Sequence, residues 1–339
     1  MAFDGIVIAN LVHDIRQKLE GGKINKIAQP EKDELMFTVK NNKETLRLSV
    51  SASASLPLVY FTETNKPSPL TAPNFCMLLR KHIGTGRIVK VSQPGLERII
   101  EFEIEHLDEL GDLRRKRLII ELMGKHSNII FCTSDGTIID SIKHVSAQMS
   151  SVREVLPGRD YFIPDTMQKV DPLTVTSEEF AAHLTGKPMP LAKAIYTSFT
   201  GISPVTAEEI CSLAGMDSSV PAQEYSADIL LHLYTQFEIY LSAIKEDTFS
   251  PGIYFDGKEP KEFSALPLSH FVNYARVEYD SVSEVLETYY STRSLITRIR
   301  QKSVDLRHVV QTALERNRKK YDLQLRQLKD TENRDKFKV

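Results

Sequence analysis

Arg98, Lys125, Lys143 and two histidines mark the ends and the break of the apolar runs between Gly95 and His144. Arg98 sits in one apolar run (GLERIIEFEIE), Lys125 and His126 interrupt a second (RKRLIIELMGKHSNIIFC), and Lys143 and His144 close a third (TIIDSIKH). Each run is rich in β-branched residues and bounded by polar groups, the pattern of a buried antiparallel strand. If the three runs are neighbours, their cations gather on one rim. There an arginine fork and lysine point charges could hold a phosphate. The competing reading is a set of solvated strand ends. Glu97, Glu101, Glu103 and Glu105 alternate along one strand and read as a solvated face. His126 beside Ser127 has no third group to orient it, so a nucleophile is not expected there.

Other chemistry is poorly represented. The chain has no glycine-rich loop followed by Lys-Ser/Thr, no GxGxxG and no GxSxG elbow. Without a CxxC pair or closely spaced histidines, neither a zinc site nor another cofactor is expected. Cys76, Cys132 and Cys211 are few and far apart, which fits a reducing, cytoplasmic setting. The start MAFDGIVIAN lacks the basic region of a secretory signal. No run approaches the roughly 20 apolar residues that span a membrane, so no membrane insertion is expected.

The elements that must position these residues follow from spacing. At 339 residues, with 26% charged and 41% hydrophobic, the chain reads as a soluble globular protein of two or three domains. Asp4 suits the N-cap of a helix with Ile8, Leu11, Val12, Ile15 and Leu19 on one face, ended by Gly21-Gly22. Short alternating runs at 23–29, 34–40, 45–51 and 58–63 read as strands, the second and third joined by an Asn41-Asn42 turn. The spacing predicts a helix over 72–83, bearing Arg80 and Lys81, and a strand over 87–93. Pro157-Gly158, Pro164 and Pro172 then mark a boundary.

Beyond it the pattern is mainly helical, at 177–185, 189–199, 204–214 and 226–246. Ser203 suits an N-cap, Pro204 the first helical position and Gly215 the residue after the helix. The turn Gly201-Ile202-Ser203 therefore reads as a helix-hairpin-helix, a design whose free amides can hold a nucleic-acid phosphate. Many αα-hairpins share the signature without binding anything. Residues 250–274 read as a β-hairpin turned at Asp256-Gly257, and Ser283 as the cap of a helix opening VLETYY. From Ile296 a seam of Ile299, Ser303, Leu306, Val310, Ala313, Asn317, Tyr321, Leu325 and Leu328 reads as a coiled coil belonging to a longer protein.

Charge is unevenly spread. Residues 293–339 hold 14 Lys/Arg against 6 Asp/Glu, a balance of +8, which leaves 29 against 39, or −10, for the other 292. A basic tail on an acidic body suits a polyanion or an acidic partner, and equally an ordinary solvated helix.

Several segments together resemble the NFACT family, whose bacterial members include the RqcH proteins and the FbpA-type fibronectin/fibrinogen-binding proteins. They are MAFDGIVIANLVHDI, GGKINKIAQP, NFCMLLRKHI, PGLERIIEFEI, ELMGKHSNII, IIDSIKHV, VLPGRDY, GISPVTAEEICSLAG and YDSVSEVLETYY, in family order over nearly all of residues 1–292. The resemblance implies an α+β fold. It has an NFACT-N α/β domain over 1–172, a β-sandwich like the N-terminal part of formamidopyrimidine-DNA glycosylases with flanking helices. A helix-hairpin-helix domain over 173–249, a β-hairpin and connecting helix over 250–292, and the start of a basic coiled coil over 293–339 follow.

It also implies work on the ribosome: binding large subunits obstructed by peptidyl-tRNA, engaging tRNA (alanyl in bacteria), and directing template-free alanine tailing. The family's functional Asp-Arg pair aligns with Glu97-Arg98, where the acid is one methylene longer. Arg98 would hold phosphate or a base edge, and Glu97 would orient it or accept a base hydrogen bond. Arg80, Lys81, Lys125, His126 and Lys143 are inferred as supporting tRNA contacts. Glycosylase activity is not expected, because the chain offers Ala2-Phe3 in place of an N-terminal proline-glutamate and has no zinc ligands. The resemblance leaves a second reading: an adhesin for host fibronectin and fibrinogen, reaching the cell surface by a non-standard route.

Overall fold

The computed structural model describes residues 3–165 and 167–335; Met1 and Ala2, and the last four residues of the expected coiled coil, lie outside the described residues. Helix α1 (Gly5–Leu19) starts where Asp4 accepts hydrogen bonds from the Ile6 and Val7 amides, each at 3.1 Å. Its expected apolar face is buried throughout. Strands β1 (Lys23–Glu31), β2 (Glu34–Asn41), β3 (Glu44–Ala52) and β4 (Pro57–Phe61) follow, then α2 (Asn74–Ile83) and β5 (Arg87–Ser92). The expected hairpin forms with its turn one residue later, at Asn42-Lys43, because Asn41 still pairs with Glu44; Asn42 has φ 53°.

The three runs of the central stretch become four strands: β6 (Ile99–Leu107), β7 (Leu113–Glu121), β8 (Asn128–Thr133) and β9 (Ile138–Ser141). The second run is longer than one strand because Gly124, at φ 58°, lets a single 3-10 turn over Gly124–His126 reverse the chain within it. All nine strands form one antiparallel sheet, ordered β4-β3-β2-β1-β5-β6-β7-β8-β9. That sheet wraps on itself: Ile24, Phe37, Leu48, Ile88, Phe102 and Leu118, from six strands, meet with Leu19 of α1 around one apolar centre. Alternation along each strand makes this possible, since every second side chain faces inward.

The helical segment consists of α3 (Ser177–Leu184), α4 (Leu191–Ser198), α5 (Pro204–Leu213) and α6 (Ala227–Lys245). Phe180, Phe199 and Phe237 form its core, with ring centroids 4.8–5.2 Å apart. A three-stranded sheet then joins β10 (Gly252–Asp256), β11 (Glu259–Ser264) and β12 (Ala275–Glu278). The expected hairpin forms with its turn one residue later, at Gly257-Lys258, because Asp256 still pairs with Glu259, while β12 has no counterpart in the sequence pattern. It is only four residues long (Ala-Arg-Val-Glu) and none is buried, so no apolar run announces it.

Helix α7 (Val282–Asp335) starts one residue before the expected cap. Ser281, not Ser283, caps it: the Ser281 hydroxyl accepts from the Glu284 amide at 3.2 Å. Ser283 lies inside the helix and its hydroxyl accepts from the Phe61 amide of β4 at 3.0 Å. Two serines two residues apart offer the same local signal, and burial against β4 decides between them. Met1–Tyr289 forms one compact unit and Tyr290–Val339 a second. In the second unit Ile299, Leu306, Val310, Tyr321, Leu325 and Leu328 all stand exposed along the helix.

The joint between sheet and helical segment has a testable electrostatic signature. Thr206 of α5 donates to the buried Asp4 carboxylate at 2.9 Å, so one acid caps α1 and receives α5. Burial raises the pKa of Asp4, outweighing the hydrogen bonds from Ser203, Val7, Thr206 and Ile6 that lower it. The folded protein therefore binds this proton more tightly than the unfolded chain. Stability from Asp4 is fully present below the unfolded value near 3.9 and is lost as pH rises through the raised folded value. Asp4→Asn keeps a good cap and should flatten that slope in urea unfolding run across pH. Asp4→Ala should be less stable than Asp4→Asn by about 1–2 kcal/mol at every pH, since neither titrates and only the cap differs.

Candidate nucleic-acid interface

Four strand ends build one rim of the sheet. Ile99 at the start of β6 faces Glu121 at the end of β7, which in turn faces Asn128 at the start of β8. The end of β9 lies beside β8, with Ser141 opposite Ile130. Arg98 immediately precedes β6, and its carbonyl accepts from the Leu122 amide at 2.9 Å. Gln93 steadies the loop before it, donating to the Gly5 and Glu97 carbonyls at 2.9 and 2.8 Å. Leu96 is fully buried, so the chain emerges from the interior only at Glu97-Arg98.

Arg98 is exposed, and among the described residues its guanidinium makes no ion pair or hydrogen bond. Glu97 beside it is half-buried. Burial raises its pKa, while Arg98 and Lys169 pull it down and Asp165 and Asp171 add to the rise. Lys169 was not among the residues singled out from sequence. It lies in the proline-bounded connection, where no periodicity marks it, and reaches the Tyr196 carbonyl at 2.8 Å. Its pKa is lowered by burial first and by Arg98 second.

Lys125 and His126 occupy the exposed 3-10 turn of the same rim. The turn is held by Ser127, whose hydroxyl accepts from the Met123 amide at 2.8 Å. Lys143 comes to the rim because Asn128 clasps its backbone, donating to its carbonyl at 2.8 Å and accepting from its amide at 3.1 Å. The Lys143 ammonium is less free than expected: it donates to the Ala52 carbonyl, and burial lowers its pKa. His144 pairs with Asp140 at 2.6 Å. Beneath the rim, fully buried Glu121 pairs with Arg153 and accepts from the Tyr161 hydroxyl at 2.9 Å. A satisfied buried pair of this kind holds the strand end rigid.

Two sequence expectations do not fit this rim. Lys81 pairs with Glu109, in the turn after β6, at 3.3 Å. That turn is at the other end of a nine-residue strand, about 30 Å from Arg98. Arg80 donates its Nε to the Ile27 carbonyl at 2.8 Å, within β1. Both belong to the scaffold around α2, because helix spacing sets which residues share a face and says nothing about which sheet end the helix approaches.

The helix-hairpin-helix turn forms with the expected local chemistry. Ser203 caps α5, Pro204 opens it and Gly215 follows it at φ 66°. Yet Ile202 and Ser203 are buried, and the Gly201 carbonyl accepts from the Gly5 amide at 2.9 Å. The Ser203 hydroxyl accepts from the Thr206 amide at 3.2 Å, and Thr206 binds the Asp4 carboxylate. The Ser203 and Thr206 hydroxyls at this helix start are thus spent on the cap and on an acid of the same chain. The hairpin is an internal joint, which corrects its reading as a phosphate site.

The family model described as NFACT N-terminal and middle domains matches residues 4–339. The chain belongs to the NFACT family. This NFACT chain is 36% identical over 341 residues to a Bacillus subtilis protein named "Rqc2 homolog RqcH", covering 100% of the chain and 57% of the relative. It is 30% identical to the protein of that name from Streptococcus suis, over 98% of the chain and 56% of the relative. It therefore spans just over half the length of these curated relatives. Among solved structures it is similar to the fibrinogen binding protein from Staphylococcus aureus, with TM-score 0.71 and 27% identity, covering 86% of this chain and 99% of that one. The N-terminal part of the fibronectin/fibrinogen-binding protein from Streptococcus suis gives TM-score 0.69 and 30% identity, with the same coverage. The NFACT-N assignment and the mixed fold, a large antiparallel sheet with helices, thus agree with the structure.

Proposed function

We propose that this chain is the N-terminal and middle part of a ribosome-associated quality-control factor. In this reading it holds tRNA on large subunits obstructed by peptidyl-tRNA and directs C-terminal alanine tailing of the stalled chain. The observation that carries it is Arg98, exposed and without a partner among the described residues, at a rim that also presents Lys125 and His126. A planar fork beside a lysine and an imidazole suits a phosphate or a base edge. Glu97, with its raised pKa, stands beside the fork to orient it or to accept from a base. The relatives' names support the ribosomal setting, among them a mouse protein called "Ribosome quality control complex subunit NEMF". No catalytic residue is assigned; the chain positions RNA, uses no cofactor, and works in the cytoplasm.

The test is binding of labelled deacylated tRNA and of purified large subunits across a salt series. Affinity should fall steeply between 50 and 200 mM salt, by about 0.7–0.9 log units per log unit of salt for each phosphate held. Absent or salt-independent binding would overturn the reading.

A second reading is supported by the solved structures named for fibronectin and fibrinogen binding. In it the same protein also binds these host proteins at the cell surface. Antibody staining of intact cells tests it, and staining seen only after permeabilisation counts against it.

A further inference from the structure

Three cations stand directly opposite one another on adjoining strands, toward the end of β6 away from Arg98. Lys23 of β1 faces Lys40 of β2 on one side and Arg87 of β5 on the other. Residues directly opposite in antiparallel strands project to the same face with their Cβ atoms about 5 Å apart, so the three make a row about 10 Å long. The neighbouring positions Ile24, Val39 and Ile88 line the apolar interior, which sets the row on the outer face, where all three are exposed. Lys26, exposed as well, faces Thr38 one step along the same face.

The rest of this face is arranged differently. On β5, β6 and β7, carboxylates separate the cations: Lys90 pairs with Glu103, Arg115 with Glu105 and Arg117 with Glu101. Glu105 lies opposite Arg87, but Arg115 holds it at 2.7 Å. Lys23, Lys26, Lys40 and Arg87 make no ion pair among the described residues. Arg87 donates to the Gly21 carbonyl at 2.6 Å, which fixes its fork without neutralising it. Like charges directly opposite on a sheet destabilise it. A row of three is relieved when an anion with several charges lies along it.

We infer that Lys40, Lys23 and Arg87, with Lys26 beside them, form a second phosphate-binding surface that takes the backbone of a tRNA arm. From Arg98 to Glu105, the β6 neighbour of Arg87, is about 23 Å along the strand. Strand alternation puts positions 98 and 105 on opposite faces of β6, so the row is a surface separate from the Arg98 rim. The choice of tRNA rests on the proposed function; the row itself does not depend on Arg98.

The experiment compares the whole chain carrying Lys23→Gln with Lys40→Gln against Lys258→Gln, an exposed charge in the β10–β11 turn, and against Arg98→Ala. Thermal midpoint is read together with affinity for deacylated tRNA, large subunits and heparin at 50 and 200 mM salt. The double variant should melt about 1–3 °C higher, because repulsion is removed. It should also bind tRNA about 10-fold or more weakly, with a log–log salt slope smaller by about 2. Affinity matching Lys258→Gln, or no rise in midpoint, overturns the inference, and a loss confined to large subunits overturns tRNA as the occupant. If the wild type binds heparin through this row and no RNA at all, the phosphate surface stands and the proposed function falls.

Discussion

Replacing Arg98 by alanine should weaken tRNA binding by about 10- to 100-fold at moderate salt. A hydrogen bond to a charged group is worth about 1.5–3 kcal/mol, and each 1.4 kcal/mol is tenfold. The salt slope should fall by about 1 if the fork holds a phosphate, and should stay unchanged if it reads a base edge. Arg98→Lys should fall between wild type and alanine, since it keeps the charge and loses the planar fork. Because the guanidinium has no partner among the described residues, neither variant should move the thermal midpoint by more than about 1 °C. Unchanged tRNA affinity in Arg98→Ala, or a large stability loss with it, would remove this residue from the site. In cells, the same variant of the full-length protein should lose tailing of stalled chains.

The second large effect concerns the joint. A Cβ added at Gly201 would lie 2.1 Å from the Leu96 carbonyl oxygen and 2.7 Å from the Leu96 Cβ, and Gly201 sits at φ 74°. The obstacle is backbone, so no side chain can turn aside to make room. Gly201→Ala should therefore cost about 4 kcal/mol or more, in the range reserved for strain at a special backbone position. Gly215→Ala is the internal comparison: φ is 66°, but nothing lies within 4 Å of the added carbon. It should show only the left-handed strain of about 1–2 kcal/mol. Urea midpoints of the two variants measure the difference, and equal losses would show that the Gly201–Leu96 contact yields without cost.

Much of the local structure was legible. Asp4 and Ser203 cap because a short polar side chain ahead of an apolar helical face satisfies amides that the helix leaves open. The strands were legible because alternation with β-branched residues suits a half-buried pleat. In two places a second, equally good local signal misled. Ser281 and Ser283 compete for one cap, and a run with Lys125 and His126 in its middle reads as one interrupted strand until Gly124 turns it. Strand β12 gave no signal at all.

The sequence by itself determined that polar side chains stand beside strand ends, Arg98, Lys125 and His126 among them. Burying an unpaired guanidinium or ammonium is costly, so such groups stay at the surface wherever the chain folds. Only the tertiary structure decided which of the other candidates belong with them. Arg80 and Lys81 went to the scaffold, Lys143 to the Ala52 carbonyl, and the Gly201–Ser203 turn to the interior against Asp4. It also brought Lys169 to Glu97 and set Lys23 between Lys40 and Arg87. The reason is range: capping and alternation act over a few residues, whereas a site is made by side chains tens of residues apart whose meeting depends on strand order and wrap.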